Sequence, residues 1–295
     1  MVDCKQLSQQ MRLLALKLAH DSGQNGVHLG GGLSAIEIMA ALYGSVLRIN
    51  PSNPTNEERD RLVVSKGHCV LAYYTALHLT GWMAREELDC FESCDDSLFF
   101  DEKLELEGIE GEQNVNNKTI THLHGHAMRD LQHGIEFSGG SLSMGMSFAV
   151  GEALACKMKG LSSRVYVLVG DGECDEGLIW EAAMSAANFG LNNLTVIVDQ
   201  NQLQYDGRTT EVMNQFSLAD KFRAFGFETI EVDGHDTRVL CKQLPIETNK
   251  PRCVIAKTIK GKGVRFMEGV KEWHHSTLSD AQYEQAIQEI ATNQE

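Results

Sequence analysis

The chain has 295 residues, 42% of them hydrophobic and 23% charged, with 27 glycines and only four prolines. This composition excludes collagen-like, proline-rich and disordered chains, and the length allows one or two domains with a substantial core. Lys and Arg number 26 against 41 Asp and Glu, a net charge of −15, which suits neither nucleic acid nor an anionic membrane as a partner.

Twelve of the acids fall within residues 85–113, against only Arg85 and Lys103. No uncharged apolar run reaches the ~18 residues of a spanning helix. The eight cysteines are scattered and form no CxxC pair. Cys90 and Cys94 stand four apart without a second pair at zinc spacing, so free thiols in a reducing cytoplasm are expected.

In chain order, Leu7, Met11, Leu14 and Leu18 recur near the helical period and predict an amphipathic helix over 5–21. Its LLALKLA stretch is broken by Lys17 and lacks a small-residue cleavage site, so it reads as a helix face and not a signal peptide. The glycine-rich SGQNGVHLGGGLS follows. Ser34, with Glu37 three residues on, predicts a capping box that opens a helix over 35–47. RLVVS at 61–65 predicts a buried strand, then KGH and a helix over 68–80. Residues 95–122 lack periodicity, carry much of the acid excess and predict a long loop or lid. SGGSLSMG at 138–145 leads into a helix through Met158.

The second half alternates. Strand 164–169 runs into GDGECDEG and a helix over 175–189, then comes strand 194–199. A helix over 217–225 precedes strand 228–232, which ends in DGHD, and strand 253–259 ends in KGKG. Continuous Val/Ile runs joined by helices predict parallel strands buried on both faces. The expected fold class is α/β, a doubly wound, mainly parallel sheet with helices on both faces. No composition break marks a linker, so a single domain over 1–295 is expected.

Gly170-Asp171-Gly172 ends one strand and Asp199-Gln200-Asn201 ends the next, with thirty residues from Asp171 to Asn201. A helix and a short turn fill that spacing in a βαβ unit, so both tips arrive on the carboxyl edge, where open α/β sheets bind ligands. Asp171 offers an anionic oxygen and Asn201 an amide oxygen, a set suited to Mg²⁺ or Ca²⁺ shared with phosphate. Gly172 admits a ligand close to the backbone, and the helix that follows favours an anion. A bare GDG is often only a tight turn; the helix and the second tip point to a metal–diphosphate site.

GDGECDEGLIWEA together with NLTVIVDQNQLQYDG resembles the thiamine diphosphate motif of transketolases. GVHLGGGLS, SKGHCVLAYYTALHLTG, GHAMRDLQHGIEFSGGSLSMGMSFAVG, LADKFRAFGFETIEVDGHD and AKTIKGKGVRFMEGVKEWH extend the resemblance over nearly the entire chain. It covers the diphosphate-binding half alone, like the N-terminal subunit of a split transketolase. The resemblance implies the thiamine diphosphate-binding fold, with Asp171, the Asn201 side chain and the Leu203 carbonyl on Mg²⁺ (or Ca²⁺ or Mn²⁺). It implies His68 on the diphosphate and Gly140, Ser141 and Leu142 along the cofactor. Gly172 would meet the diphosphate, and His28, His126 and His274 would face the substrate, His274 also touching the diphosphate. Glu176 and Glu181 match acids at the subunit contact.

The activity so implied is transfer of a two-carbon ketol unit from a ketose donor to an aldehyde-type acceptor. Histidine suits the proton movements this needs near neutral pH. The glutamate that acts on the cofactor's aminopyrimidine belongs to the family's other half. A partner carrying the pyrimidine-binding domain, in a heterotetramer of two of each, is therefore expected. His122, His124 and His133 compete with His126, and His275 with His274. His235 in DGHD reads as part of a helix-capping turn, and His20 and His78 as surface or core histidines.

Ala127, Ser143, Met144 and His275 depart from the usual family pattern, as do Gln24, Asn25 and the 95–122 insertion. Their position near the substrate mouth suggests an unusual donor or acceptor. Rival readings are the α-subunit of a 2-oxo acid dehydrogenase, a deoxyxylulose-phosphate synthase-like enzyme and a non-catalytic homologue.

Overall fold

The computed structural model describes residues 2–91 and 123–292. The acidic 95–122 segment, with His122 and Cys94, lies outside the described residues. The N-terminal helix α1 (Cys4–Asp21) is capped by the Asp3 carboxylate and leads to α2 (Leu29–Ser34) and α3 (Ile36–Ala41). Strand β1 (Arg61–Val64), α4 (Val70–Leu79) and the short α5 (Arg85–Leu88) follow. Next come α6 (Met144–Met158), β2 (Val165–Gly170), α7 (Gly177–Asn188) and β3 (Leu194–Gln200). The chain continues with α8 (Thr209–Val212), α9 (Leu218–Ala224), β4 (Glu228–Asp233) and α10 (Thr237–Gln243). It closes with β5 (Arg252–Lys257) and α11 (Asp280–Thr292).

The five strands form one parallel sheet in the order β1-β2-β3-β5-β4. All six residues of β2 are buried, because helices cover both faces. Leu62, Tyr166, Leu168, Ile197 and Val254 pack with α1, α3 and α4, while Val63, Val165, Val167, Val196 and Ile255 pack with α6, α7 and α9. Each such side chain contributes about 1.5–3 kcal/mol by leaving water. The α/β, doubly wound reading holds.

The expected capping box does not form. Ser34 ends α2, and its hydroxyl donates to Asp199 at 2.6 Å. Glu37 instead accepts from Arg12 and His235. The expected helix 35–47 is α3 followed by one wide turn over Leu42–Val46. The seven described cysteines are free thiols, and no described helix is long and apolar enough to cross a membrane.

Candidate active site at the carboxyl edge of the sheet

Strands β2 and β3 run in register, Gly170 beside Asp199, so Asp171 and Asn201 leave the sheet on the same edge. Gln202 adopts φ 65° between Asn201 and Leu203, and its N–H donates to Asp171 Oδ2 at 2.5 Å. Asp171 Oδ1 accepts from Gly172 N–H at 2.9 Å, and Asn201 Oδ1 accepts from Leu203 N–H at 3.1 Å. Asp171, Asn201 and Leu203 line one cavity of about 300 Å³ with His28, His68, His126, Gly140, Leu142, Gly172 and His274. Burial, and then the charge of Asp199, push the Asp171 carboxyl up to about 7.

Among the described residues no three His, Cys, Asp or Glu side chains cluster as metal ligands. The donors gathered here are a carboxylate, an amide oxygen and a backbone carbonyl, which fits a hard cation completing its shell elsewhere. The surrounding backbone is tight: a Cβ on Gly67 would lie 2.8 Å from Gly140 N and 3.0 Å from His126 Cδ2. That approach carries the 139–140 backbone over the tip of β1.

The His28 ring lies 5.8 Å from His68, 5.3 Å from His126, 5.4 Å from His274 and 4.8 Å from His275, centroid to centroid. His68 and His274 stack at 5.0 Å. Burial lowers His28 to about 4 and His274 to about 3, and pulls His68 well down, helped by Lys66. These three rings are neutral at pH 7. Tyr74 donates to the His124 carbonyl, His133 bonds Asp130, and His20 bonds Asp280. His78 meets the Met83 carbonyl. Of the described competitors, His126 is the one lining the cavity.

Ser141 is exposed beside Gly140 and Leu142, and Glu176 and Glu181 are exposed on and just before α7, away from the cavity lining. His235 precedes α10, whose cap is Asp236.

Three residues absent from the sequence reading shape this site. Lys260, 1% exposed, places Nζ 2.8 Å from His274 Nδ1 and 3.4 Å from the Leu203 carbonyl. Burial first, then Lys66, lower it to about 8. Lys66 bonds the Gly31 carbonyl and Ser34 and pairs with buried Asp199. Glu173 accepts from Ser65, Ser143 N–H and Gly170 N–H, which ties α6 to the tips of β1 and β2. A lysine followed by glycine just past a strand on this edge is the available signal for Lys260.

The family description "Transketolase, thiamine diphosphate binding domain" matches residues 4–97 and 100–295. The chain belongs to the transketolase thiamine diphosphate-binding family. It is 37% identical over 267 residues to one subunit of the apulose-4-phosphate transketolase of Phocaeicola vulgatus, covering 90% of this chain and 86% of that one. It is 38% identical over 293 residues to the 6-deoxy-6-sulfo-D-fructose transketolase subunit SqwG of a Clostridium species, covering 98% and 96%. The transketolase structure from Campylobacter jejuni matches with TM-score 0.80 and 28% identity, over 97% of this chain but 43% of that one. The chain thus spans about two fifths of that full-length transketolase and most of the separate subunits. It is the thiamine diphosphate-dependent, transketolase-like N-terminal subunit of a transferase; the dehydrogenase and deoxyxylulose-phosphate synthase alternatives are not favoured.

Proposed function

We propose that this chain binds thiamine diphosphate through Mg²⁺, or Ca²⁺ or Mn²⁺, held by Asp171, Asn201 Oδ1 and the Leu203 carbonyl. It transfers a two-carbon ketol unit from a ketose to an aldehyde-type acceptor. The carrying observation is the convergence of these oxygen donors and the neutral imidazoles of His28, His68 and His274 on one cavity. The named relatives act on ketoses ending in phosphate or sulfonate, and a donor with a terminal anion is proposed here.

When bound, thiamine diphosphate supplies an electron sink that lets a carbon–carbon bond beside a ketose carbonyl break and re-form. His68 and Lys260 would meet its diphosphate, Gly172 would do so through its backbone, and Gly140, Ser141 and Leu142 would line it. The Lys260 ammonium donates to His274 Nδ1, which leaves the His274 proton on Nε2, free to donate to a substrate or diphosphate oxygen. His28 and His126 hold and move protons at the sugar hydroxyls; a ring near pKa 4 accepts hydrogen bonds without carrying charge.

The chain acts as a single domain, with a separate subunit that supplies the pyrimidine-binding domain, in a cytoplasmic heterotetramer of two of each. Glu176 and Glu181, exposed just before and within α7, would lie at that contact. The test is turnover of a panel of phospho- and sulfo-ketoses, and of pyruvate, with and without the partner, thiamine diphosphate and Mg²⁺. Ketol transfer only in the full mixture is expected. Turnover by this chain alone, or of pyruvate alone, would overturn the reading.

A further inference from the structure

The loop after β5, residues 258–263, sets Lys260 behind the cavity-lining His274 and Leu203, and a polar network holds that loop. The Glu37 carboxylate, 6% exposed, accepts from Arg12 Nη2 at 2.6 Å through Oε1 and faces His235 Nδ1 at 2.9 Å through Oε2. His235 Nε2 accepts the Ile259 N–H at 2.9 Å, and Arg12 Nε donates to the Lys262 carbonyl at 3.1 Å. Lys260 is thus flanked on both sides by groups tied to one carboxylate. Gly261 N–H donates to Gly30 O at 3.0 Å, joining the loop to the helix that follows His28.

The local sequence explains the fit. A Cβ on Gly234 would lie 2.4 Å from Thr258 Cγ2, so the DGHD turn needs glycine to sit against the end of β5 and bring His235 to Ile259. Gly263 adopts φ +95°, and a Cβ there would lie 2.7 Å from Arg12 Cδ. Arg12, Glu37 and His235 also line a separate cleft of about 860 Å³.

We propose that Arg12, Glu37 and His235 are positioning residues, a clamp that sets the Lys260 loop for the diphosphate. The proposal rests on the functional reading above. The bond polarity fixes the histidine tautomer: Ile259 N–H can only donate, so Nε2 is the acceptor and Nδ1 carries the proton toward Glu37. Glu37→Gln, nearly isosteric, breaks this order. Its amide NH₂ turned to His235 pushes the ring proton onto Nε2, against the Ile259 N–H. With the amide turned the other way, NH₂ faces the Arg12 guanidinium. His235→Phe removes both ring bonds, whereas a glutamine at 235 carries one acceptor and one donor group and restores them.

The test is hydrogen exchange on the full chain without cofactor, together with thiamine diphosphate titration of the complex in Mg²⁺. Loss of one such bond corresponds to roughly fivefold or more in local opening. Glu37→Gln and His235→Phe should raise exchange across 257–264 by at least that factor and leave β1, β2 and β3 at wild-type protection. They should weaken thiamine diphosphate binding by a similar factor with kcat at saturating cofactor little changed, and His235→Gln should recover both. Unchanged exchange at 257–264, a uniform rise over the whole sheet, or no recovery in His235→Gln would overturn the clamp. A wild-type complex that fails to bind thiamine diphosphate would overturn the functional reading instead, and the exchange result would still decide the clamp.

Discussion

Replacing Lys66 with methionine keeps the length of the stem and removes one charge from a fully buried pair. Lys66 is 1% exposed and Asp199 0%. Burial works to raise the Asp199 carboxyl, but the Lys66 charge and hydrogen bonds from Lys66, Ser34 and Thr258 outweigh it and hold the group below its ordinary value. In Lys66→Met only the two hydroxyls remain on a buried carboxylate. Breaking a buried pair from one side costs about 3–5 kcal/mol. At about 2–4 °C per kcal/mol, the expected fall in Tm is roughly 6–20 °C. Asp199 has a depressed folded pKa, so its stabilisation is present above the ordinary carboxylate value of 3.8 and is lost as pH falls through the folded value. The variant should therefore lose most at neutral pH and converge on wild type in acid. Lys66 also pulls the Asp171 carboxyl down; without it Asp171 ionises at higher pH, and the pH at which Mg²⁺ stabilises the chain should move up. Adding Asp199→Asn removes the stranded charge and should recover much of the loss. Thermal unfolding at pH 3 to 8, with and without Mg²⁺, reads all of this. A single variant melting within about 2 °C of wild type at pH 8, or a double variant no more stable than the single, would refute the reasoning.

Three further outcomes follow from the same geometry. The Asp171 carboxyl is raised to about 7, so in metal-free chain its charged form costs stability that grows as pH rises from 3.8 to about 7. Asp171→Asn should then be more stable than wild type above pH 7 in a chelator, by at most about 4 kcal/mol at 1.36 per unit, yet gain nothing from Mg²⁺ in melting experiments. His28, His68 and His274 all have lowered folded pKa values. Their neutral burial should cost stability progressively as pH drops below 6.5, and His28→Gln should flatten that acid limb in urea titrations between pH 6.5 and 4. Gly67→Ala, whose Cβ meets Gly140 N at 2.8 Å, should cost about 1–3 kcal/mol by overpacking. By displacing the 139–140 backbone it should also weaken thiamine diphosphate binding more than tenfold in calorimetric titration.

The sheet is legible in the sequence because interior parallel strands need apolar residues on both faces: VYVLVG and LTVIVD read as strands without any partner information. The strand tips are legible for the same reason, and they carry Asp171 and Asn201. What escapes the sequence is pairing over distance. Ser34 and Glu37 have the spacing of a capping box, yet their partners, Asp199 and His235, lie 165 and 198 residues away. Helix α11 escapes because only Ala286 and Ile290 are buried along it, too sparse a stripe to show a period. Lys260 reads as one basic residue in a solvated turn; its burial arises when the loop folds back between Gly30 and His274.

The charges at the cavity argue for a ligand that brings both signs together. Lys66 and Asp199 neutralise each other inside the protein. Glu173, also raised by burial, is held by Ser65 and the Ser143 and Gly170 N–H groups, while Asp171, raised to about 7, and Lys260, lowered to about 8, are each penalised by burial in the charged form. A lone anion would relieve Lys260 but add repulsion at Asp171, and a lone cation would do the reverse, since Lys260 Nζ stands 3.4 Å from the Leu203 carbonyl proposed as a metal ligand. A divalent ion carried on a diphosphate, as proposed above, would satisfy the carboxylate and the ammonium at once. The neutral histidines complete this balance: imidazolium at His68 or His274 would place a further charge against Lys66 and Lys260, and their lowered pKa values keep that charge away at neutral pH.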